Sequence, residues 1–257
     1  MEVWVTFDSN VWESIVDENK RANSAEVYSQ LFHLIQSKII TPFFFEGIAT
    51  IETMKKSERK PYIANFKGAY SITLDGEEIS SSKGSKAPEL TEYLASMIPK
   101  ALELGFRFTK LPRVGAPALE FDKKYLAPDV RHDLGDRLER SFECLRFIES
   151  LGAGRSHLMN QLPKVEGGLI QRTKADNNLS DKKYAKSVGE WVDGDALAAS
   201  YGYGIDYFCT NDRASSAGQT SIFYHENLKK LESNYPVNVI TPEDLICNLK
   251  TNASQFK

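Results

Sequence analysis

The chain lacks the features of a membrane protein and of an oxidised, disulfide-bonded protein. Its 257 residues contain only three cysteines, Cys144, Cys209 and Cys247, which are far apart and form no CxxC pair. A zinc knuckle and a disulfide framework are therefore not indicated, and reduced thiols are the simplest interpretation. No apolar run approaches the roughly 20 residues that a membrane helix needs, and no basic-then-apolar leader opens the sequence. These absences predict a cytoplasmic globular protein without a membrane partner.

The chain also lacks a surplus of charge of one sign. It has 32 Lys and Arg residues against 35 Asp and Glu residues, which gives a formal net charge of −3. This balance excludes the global basic field that marks many nucleic-acid binders. A nucleic-acid partner would therefore need a local basic patch. The histidines show no HExxH or HxH spacing, so a histidine-based metal site is not indicated either.

Strand and helix patterns alternate at both ends of the chain. The predicted strands lie at 3–7, at 38–45 with Pro42 stopping the strand, at 206–212, and from 237 to Thr241. The predicted helices lie at 10–15 with Asn10 as its cap, at 24–36, at 46–56, and at 194–204 with Asp195 as its first residue. Such alternation predicts βαβ units and a parallel sheet with both faces covered.

The middle of the chain has a different character. Residues 74–89 are rich in Ser, Gly and charge and predict a loop or hairpin, and residues 129–151 carry a strong amphipathic helical pattern. The chain is therefore divided into a discontinuous core, residues 1–55 and 188–257, and a mainly helical insertion, residues 56–187, part of which completes the core.

Four acidic residues lie close to the predicted strands. Asp8 follows the first strand, Glu46 the second, and Asp212 the third, while Asp195 starts the helix that leads into the third. Ligands of open parallel sheets bind at the carboxyl ends of the strands, so these carboxylates are expected in one crevice. At about 4 Å, two like charges repel by roughly 4 kcal/mol at an effective dielectric near 20. A hard cation such as Mg²⁺ or Mn²⁺ would offset that repulsion and would suit phosphodiester hydrolysis.

Each of these residues taken singly also has a purely structural interpretation. Asp8, Asn10 and Asp195 are ordinary helix caps, Asp212 is an ordinary turn residue, and Glu46 is a favourable charge at a helix start. Only the shared location at strand ends favours a functional site. Three further acidic residues are assigned to the solvated surface: Glu190, Asp193 and Asp206.

Three stretches of the sequence resemble the PIN-domain family of metal-dependent ribonucleases. They are VTFDSNVW, GDALAASYGYGIDYFCTNDRAS and VNVITPEDL, and IITPFFFEGIATIE is similar to the second strand of that family and the acid after it. The resemblance covers residues 1–55 and 188–248, about half of the chain. It implies a three-layer α/β/α sandwich with a central, mostly parallel sheet. It also implies a Mg²⁺- or Mn²⁺-dependent endoribonuclease that binds one or two ions, cleaves single-stranded or structured RNA and serves as a toxin or defence effector.

Position by position, the resemblance assigns the catalytic and metal-binding roles to four acids and supporting roles to two neighbours. The acids are Asp8, Glu46, Asp195 and Asp212, and the neighbours are Asn10, which orients Asp8, and Thr210, which hydrogen-bonds in the site. The interval between Glu46 and Asp195 is far longer than in compact members of the family, hence the proposed insertion. Glu52 is an alternative to Glu46, because it lies six positions further along the same predicted helix.

Two basic segments flank the expected site and predict where RNA binds. Residues 164–187 contain six Lys or Arg against three Asp or Glu, and residues 55–60 contain four basic residues. The residues assigned to RNA binding are Lys55, Lys56, Arg172, Lys174, Lys182, Lys183 and Lys186. A solvated lysine-rich surface is the alternative for either segment.

Two other functions remain open at the level of sequence. One is a catalytically inactive PIN-like scaffold that binds RNA or protein through the insertion, and the other is a small-molecule phosphohydrolase that uses the same crevice. The expected partners are RNA and, by the family resemblance, an antitoxin or another protein and a second copy of the chain.

Overall fold

A computed structural model of the 257-residue chain describes residues 2–67, 71–74, 77–80, 85–112, 122–164, 179–214 and 218–255, with the backbone alone at 71–74, 77–80 and 252–255. A five-stranded sheet lies at its centre, with strand order β5-β2-β1-β6-β7 and all neighbours parallel. Its strands are β1 Val3–Phe7, β2 Ile40–Phe45, β5 Arg107–Thr109, β6 Tyr207–Cys209 and β7 Val239–Ile240. The antiparallel pair β3 Ser71–Leu74 and β4 Glu77–Ser80 forms a separate hairpin.

Helices connect the strands. They are α1 Ser9–Val16, α2 Glu18–Ala22, α3 Val27–Gln36, α4 Gly47–Thr50, α5 Lys56–Asn65, α6 Glu92–Leu104, α7 Leu134–Ser150, α8 Arg155–Gln161, α9 Asp181–Gly202, α10 His225–Asn234 and α11 Pro242–Gln255. Short 3₁₀ helices lie at Lys123–Tyr125 and Gly218–Thr220. The protein is therefore of the α/β class with an all-parallel sheet, as the alternating pattern predicts.

The side chains of β1 alternate between the two faces of the sheet, each of which packs against a hydrophobic cluster. Val5 and Phe7 are fully buried against residues of α1, α3, α6 and α11. On the opposite face, the Thr6 hydroxyl lies 2.8 Å from the hydroxyl of Ser200 in α9. That face is covered by α7, α8, α9 and α10, whose apolar residues pack around Trp191. Helices thus cover both faces of the sheet.

The strand order creates a crevice at the carboxyl end of β1. The chain moves from β1 to β2 on one side, and it returns to β6 on the other side of β1. Such a reversal is where ligands bind in open parallel sheets. The backbone N–H of Asp8 still donates to the carbonyl of Cys209 at 3.0 Å, so the ends of β1 and β6 stay together up to this point.

Several predicted boundaries are wrong. Pro42 does not stop β2, because it lies within the strand and pairs in register with Val5. The N-cap of α1 is Asp8 rather than Asn10. The helix predicted to start at Asp195 instead starts at Asp181, where the Ser180 side chain accepts from the N–H of Lys183. Asp195 is therefore an interior helical residue.

The region between 56 and 187 contributes directly to the sheet. Its strand β5 pairs with β2 in parallel and forms one edge. Its helix α6 packs on α1, and α7 packs on α9. Within the described part of the chain, none of the helices combines the length and apolar character needed to cross a bilayer.

Candidate metal centre at the carboxyl end of the sheet

Asp8 is held in place by a network of hydrogen bonds from neighbouring residues. Its Oδ1 accepts from the N–H of Ser9 at 2.7 Å and from the Ser9 hydroxyl at 3.3 Å. Its Oδ2 accepts from Nδ2 of Asn10 and from the hydroxyl of Thr210, both at 2.6 Å. The two supporting residues that the sequence predicts, Asn10 and Thr210, therefore lie on Asp8 and fix the direction of its carboxylate.

Asp212 is joined to the same network through Thr210. The N–H of Asp212 donates to the Thr210 hydroxyl at 2.9 Å, and its Oδ1 accepts from the N–H of Ala214 at 2.6 Å. Ala214 adopts a positive φ of 58°, and the tight turn that begins at Asp212 includes this residue. Burial raises the pKa of Asp8, the hydrogen bonds from Thr210 and Ser9 oppose that rise, and the charge of the nearby Asp212 adds to it. The structure thus brings these two predicted residues together.

Three carboxylates line one small cavity beside β1, called here the acid cavity. They belong to Asp8, Glu52 and Asp193, and the cavity has a volume of about 10 Å³. A single water-sized particle needs at least about 10–15 Å³ of such space, so the cavity approaches the size of one ion or water molecule. The remaining lining residues are Thr6, Phe7, Ser9, Phe45, Ile48, Val192, Ala196 and Phe208.

The acidic side chains raise one another's pKa values. Burial is the main cause for Asp193, whose pKa lies well above its ordinary value, and the charges of Asp8, Glu190, Glu52 and Asp212 add to the shift. Burial, followed by the charge of Asp8, raises the pKa of Glu52 to about 7, against the opposing effect of Arg59. Burial and neighbouring charges, that of Asp212 among them, thus disfavour the charged forms of four carboxylates: Asp8, Glu52, Glu190 and Asp193.

Glu190 extends this group on the same face of α9. It lies three positions before Asp193, so both side chains leave the helix on one side. Glu190 is only 4% exposed. Burial raises its pKa to about 7, the Ser221 hydrogen bond opposes this rise, and the charge of Asp212 adds to it. Its Oε2 has no hydrogen-bond partner among the described residues. A buried carboxylate oxygen without a partner is costly, so this position also suits a cation.

The prediction that Asp195 belongs to this centre is corrected to Asp193. Two positions on an α-helix are about 200° apart, so Asp193 and Asp195 face opposite sides of α9. Asp193 lines the acid cavity, whereas Asp195 is fully buried and is not among its lining residues. The assignment of Glu190 and Asp193 to the solvated surface is wrong, because Glu190 is buried and Asp193 lines the acid cavity. The three-residue spacing of these two acids was the signal in the sequence that points to a shared face.

The second acid of the acid cavity is Glu52 rather than Glu46. Oε1 of Glu46 accepts from the backbone N–H of Leu111 at 3.2 Å, beyond the end of β5. Helix α4 ends at Thr50, and the turns after it bring Glu52 back to β1. Gly47 allows the start of α4 to lie close to α9, because a Cβ at this position would lie 2.6 Å from Cγ1 of Val192.

A divalent cation fits this centre by its chemistry, although the ligands are not already gathered around one point. Among the described residues, no three His, Cys, Asp or Glu side chains are close enough together to form a complete metal-binding group. The carboxylates are nevertheless the oxygen ligands that Mg²⁺ and Mn²⁺ prefer, and their shared pKa elevation would be relieved by positive charge. The residues that would hold the ion are Asp8, Glu52 and Asp193, with Asp212 and Glu190 next to them.

The predicted RNA-binding lysines fall into two groups. Lys182, Lys183 and Lys186 are exposed on the first turns of α9, and Lys55 and Lys56 are exposed at the start of α5. The charge of Lys186 opposes the rise that burial causes in the pKa of Glu190, so Lys186 lies near the acidic group. Arg172 and Lys174 lie outside the described residues.

Arg59 is a basic residue within the centre itself. It is 9% exposed, and its charge acts on both Glu52 and Asp193. The sequence places Arg59 in a basic segment but does not separate it from its exposed neighbours. Its position on the inner face of α5 is what distinguishes it.

A larger cavity of about 520 Å³ lies at the other side of the sheet, where β1 and β6 begin. Arg131, Arg140 and Asp206 are among its lining residues, together with residues at the start of β1 and β6. None of the five clustered carboxylates lines it. The size of this cavity alone does not make it the candidate functional site, because the acidic residues with raised pKa values lie at the carboxyl ends of the strands.

The chain matches no protein-family model, no curated protein and no solved structure.

Proposed function

We propose that this protein is a divalent-metal-dependent nuclease that hydrolyses phosphodiester bonds of RNA, with a PIN-like α/β/α architecture. The observation that supports the proposal is the acid cavity, which is lined by Asp8, Glu52 and Asp193 at the carboxyl end of the central strand. Ligand sites of parallel sheets occur at such strand ends, and clustered carboxylates with raised pKa values are typical of metal-assisted phosphoryl chemistry.

The proposed centre divides its roles among the clustered acids. A Mg²⁺ or Mn²⁺ ion, when bound, supplies Lewis-acid polarisation and a more acidic water. Asn10 and Thr210 hold Asp8 in a fixed orientation, so its carboxylate does not reorganise when the substrate arrives. Glu190, with a pKa of about 7, can exchange a proton at its carboxylate near neutral pH.

The charge distribution favours a polyanionic substrate over a small phosphate ester. Lys55 and Lys56 lie exposed after the Glu52 turn, and Lys186 lies exposed one turn before Glu190. Lysines on both sides of an acidic centre can contact successive phosphates of one strand. An antitoxin, another protein or a second copy of the chain as a further partner remains a proposal that rests on the family resemblance.

The proposal is tested by incubating labelled single-stranded RNA with the wild-type protein, with and without Mn²⁺. We expect Mn²⁺-dependent internal cleavage, and we expect Asp8→Asn to reduce it by about 10²–10³-fold while the protein stays folded. Absence of cleavage by wild type with Mn²⁺, across single-stranded and structured RNA, would reject the nuclease function. Cleavage of a generic phosphate ester but not of RNA would favour a small-molecule phosphohydrolase.

A second candidate is an inactive scaffold that binds RNA or protein. The observation in its favour is that the described acids do not already converge on one point. Calorimetric titration with Mn²⁺ separates the two candidates. A saturable signal that Asp193→Asn abolishes supports the nuclease, and no binding by the wild-type protein supports the scaffold.

A further inference from the structure

Glu52 lies in a segment whose position is not fixed by a helix or a strand. This segment, residues 51–54, consists of turns between α4 and α5 and is called here the Glu52 segment. The Glu52 side chain lines both the acid cavity and a second cavity of about 310 Å³. Because a side chain that borders open space is held only in part by packing, the apolar core does not fully determine where the Glu52 carboxylate lies.

The guanidinium of Arg59 connects the Glu52 segment to α9. Its Nε and Nη2 donate to the carbonyls of Met54 and Glu52 at 3.4 and 3.3 Å, and its Nη1 donates to the carbonyl of Ala185 at 3.4 Å. Ala185 lies in α9, about two turns before Asp193. One side chain thus joins the two parts of the chain that supply Glu52 and Asp193 to the acid cavity.

Arg59 acts on the backbone rather than as an ion-pair partner of the acids. Among the described residues, no ion pair joins Arg59 to Glu52 or Asp193. Burial lowers the pKa of Arg59, and the charges of Glu52 and Asp193 oppose that effect, so the guanidinium is near both acids. Since three of its five N–H groups donate to carbonyls, Arg59 holds the segment in place without occupying the carboxylate oxygens.

Apolar contacts hold the surroundings of Glu52 without Arg59. Ile51 and Met54 of the Glu52 segment, Ile63 of α5 and Val188 of α9 belong to one hydrophobic cluster. Glu52 itself is only half-buried. We therefore expect a conservative substitution of Arg59 to leave the fold intact and to change chiefly the position of Glu52.

We propose that Arg59 is a positioning residue of the acidic centre, which holds the Glu52 carboxylate at the acid cavity by joining the Glu52 segment to α9. The inference rests on the proposed nuclease function for the use of this arrangement, whereas the three hydrogen bonds require neither metal nor substrate. Lysine carries the same charge, but its single ammonium group does not reproduce the planar set of donors. Arg59→Lys therefore separates the position of Glu52 from the charge beside it.

The first test is an NMR spectrum of the arginine side chains of the wild-type protein without divalent metal. The Nη hydrogens of a freely rotating guanidinium average to one signal, whereas hydrogen bonds from both Nη1 and Nη2 keep them apart. We expect resolved Nη signals for Arg59. A single averaged signal would overturn the inference, and this measurement decides the question even if Arg59→Lys does not fold.

Amide hydrogen exchange then compares Arg59→Lys with the wild-type protein, again without metal. The N–H groups of Glu52 and Met54 donate to the carbonyls of Gly47 and Ile51 at 3.0 and 3.3 Å. We expect their exchange to become at least about tenfold faster in Arg59→Lys, because the segment opens locally. The amides of the central strand β1 should keep their wild-type rates, which excludes a general loss of stability.

Arg107→Lys is the matched control. Arg107 also donates to backbone carbonyls, those of Leu102 and Phe106, but it lies at the start of β5 and outside both cavities. We expect this variant to leave the exchange of the Glu52 segment unchanged. Equal acceleration by both variants would overturn the specific role of Arg59.

RNA cleavage with Mn²⁺ supplies the functional measurement. Arg59→Lys should lower kcat by about 10–100-fold and leave KM within about threefold, because a misplaced carboxylate affects the reaction more than the binding of RNA. Unchanged exchange or unchanged kcat in folded Arg59→Lys would overturn the positioning role. Faster exchange in this variant, together with no cleavage by the wild-type protein, would confirm the contacts of Arg59 and reject only the nuclease.

Discussion

The ends of the parallel strands define two sides of the sheet, called here the amino edge and the carboxyl edge. The acidic residues at these two edges differ in how they are paired. At the amino edge, Asp206 accepts from the N–H of Trp4 at 2.8 Å and pairs with Arg131 at 2.8 and 3.1 Å. The guanidinium of Arg131 also stacks over the Trp4 ring at 4.1 Å. At the carboxyl edge, burial raises the pKa values of Glu52 and Asp193, and the charges of neighbouring acids raise them further, against the opposing effect of Arg59 on Glu52.

This difference separates an acid that stabilises the folded state from acids that raise its free energy. Asp206 lies between the cation of Arg131 and a backbone donor, which is how proteins use carboxylates structurally. The carboxyl edge places Asp193 among four other acids, which costs free energy in the absence of a cation. Groups of that kind are concentrated at functional sites.

The largest expected effect separates Glu52 from Glu46. Glu52→Gln removes a carboxylate from the acid cavity, so we expect RNA cleavage to fall by about 10²–10³-fold. Glu46→Gln keeps an acceptor for the N–H of Leu111 and lies outside that cavity, so cleavage should stay within about threefold of wild type. The measurement is the single-turnover rate with Mn²⁺. The reverse ranking would restore Glu46 as the second acid.

The sequence predicts where the acidic residues cluster better than it predicts which residues belong to the cluster. The parallel sheet, Asp8 and Asp212 follow from the alternating pattern and from residues adjacent to strand ends, where local spacing fixes the position of a side chain. The supporting roles of Asn10 and Thr210 were implied by the family resemblance alone. Asp195 was misassigned because one uninterrupted helix, starting at Asp181, determines which side of α9 each residue faces.

The remaining assignments depend on tertiary contacts that local patterns do not encode. Glu52 reaches the acid cavity through turns after α4 and through the close approach of Gly47 to Val192. The burial of Arg59 depends on the carbonyl of Ala185, which lies far away in the chain. The hydrophobic pattern of α5 is weak, so the sequence offered no basis for separating Arg59 from Lys55 and Lys56.

The second prediction concerns the pH dependence of stability without metal. The pKa values of Glu52 and Glu190 rise from an ordinary 4.5 to about 7 in the folded protein. The folded state therefore binds more protons than the unfolded state between these values, and the free energy of unfolding falls as pH rises from 4.5 to about 7. The slope is at most roughly 1.4 kcal/mol per pH unit for each group.

Urea unfolding at several pH values, in the presence of EDTA, measures this slope. Glu52→Gln removes one of the titrating groups and should flatten the dependence. A stability that rises with pH across this range would show that the carboxyl edge does not hold protonated acids, and the contrast between the two edges would then fail.

The third prediction is that a divalent cation offsets the free-energy cost of the clustered acids at the carboxyl edge. Mn²⁺ at 100 times its dissociation constant should add about 2.7 kcal/mol to the free energy of unfolding, because it binds the folded state alone. Thermal melts with and without Mn²⁺ measure the gain. Asp193→Asn should lose it and Asp206→Asn should retain it, since Asp206 lies at the other edge. An equal gain in both variants would place the ion elsewhere.

The smallest expected effect is at the amino edge itself. Asp206→Asn removes the charge opposite Arg131 but keeps an oxygen that accepts from the N–H of Trp4. The pair is partly exposed, so we expect a loss of only about 0.5–1 kcal/mol in the free energy of unfolding, smaller at high salt. RNA cleavage should remain at the wild-type rate, because no clustered acid is touched. If cleavage instead fell as far as in Glu52→Gln, the reaction would depend on both edges, and the division between a structural and a functional edge would be lost.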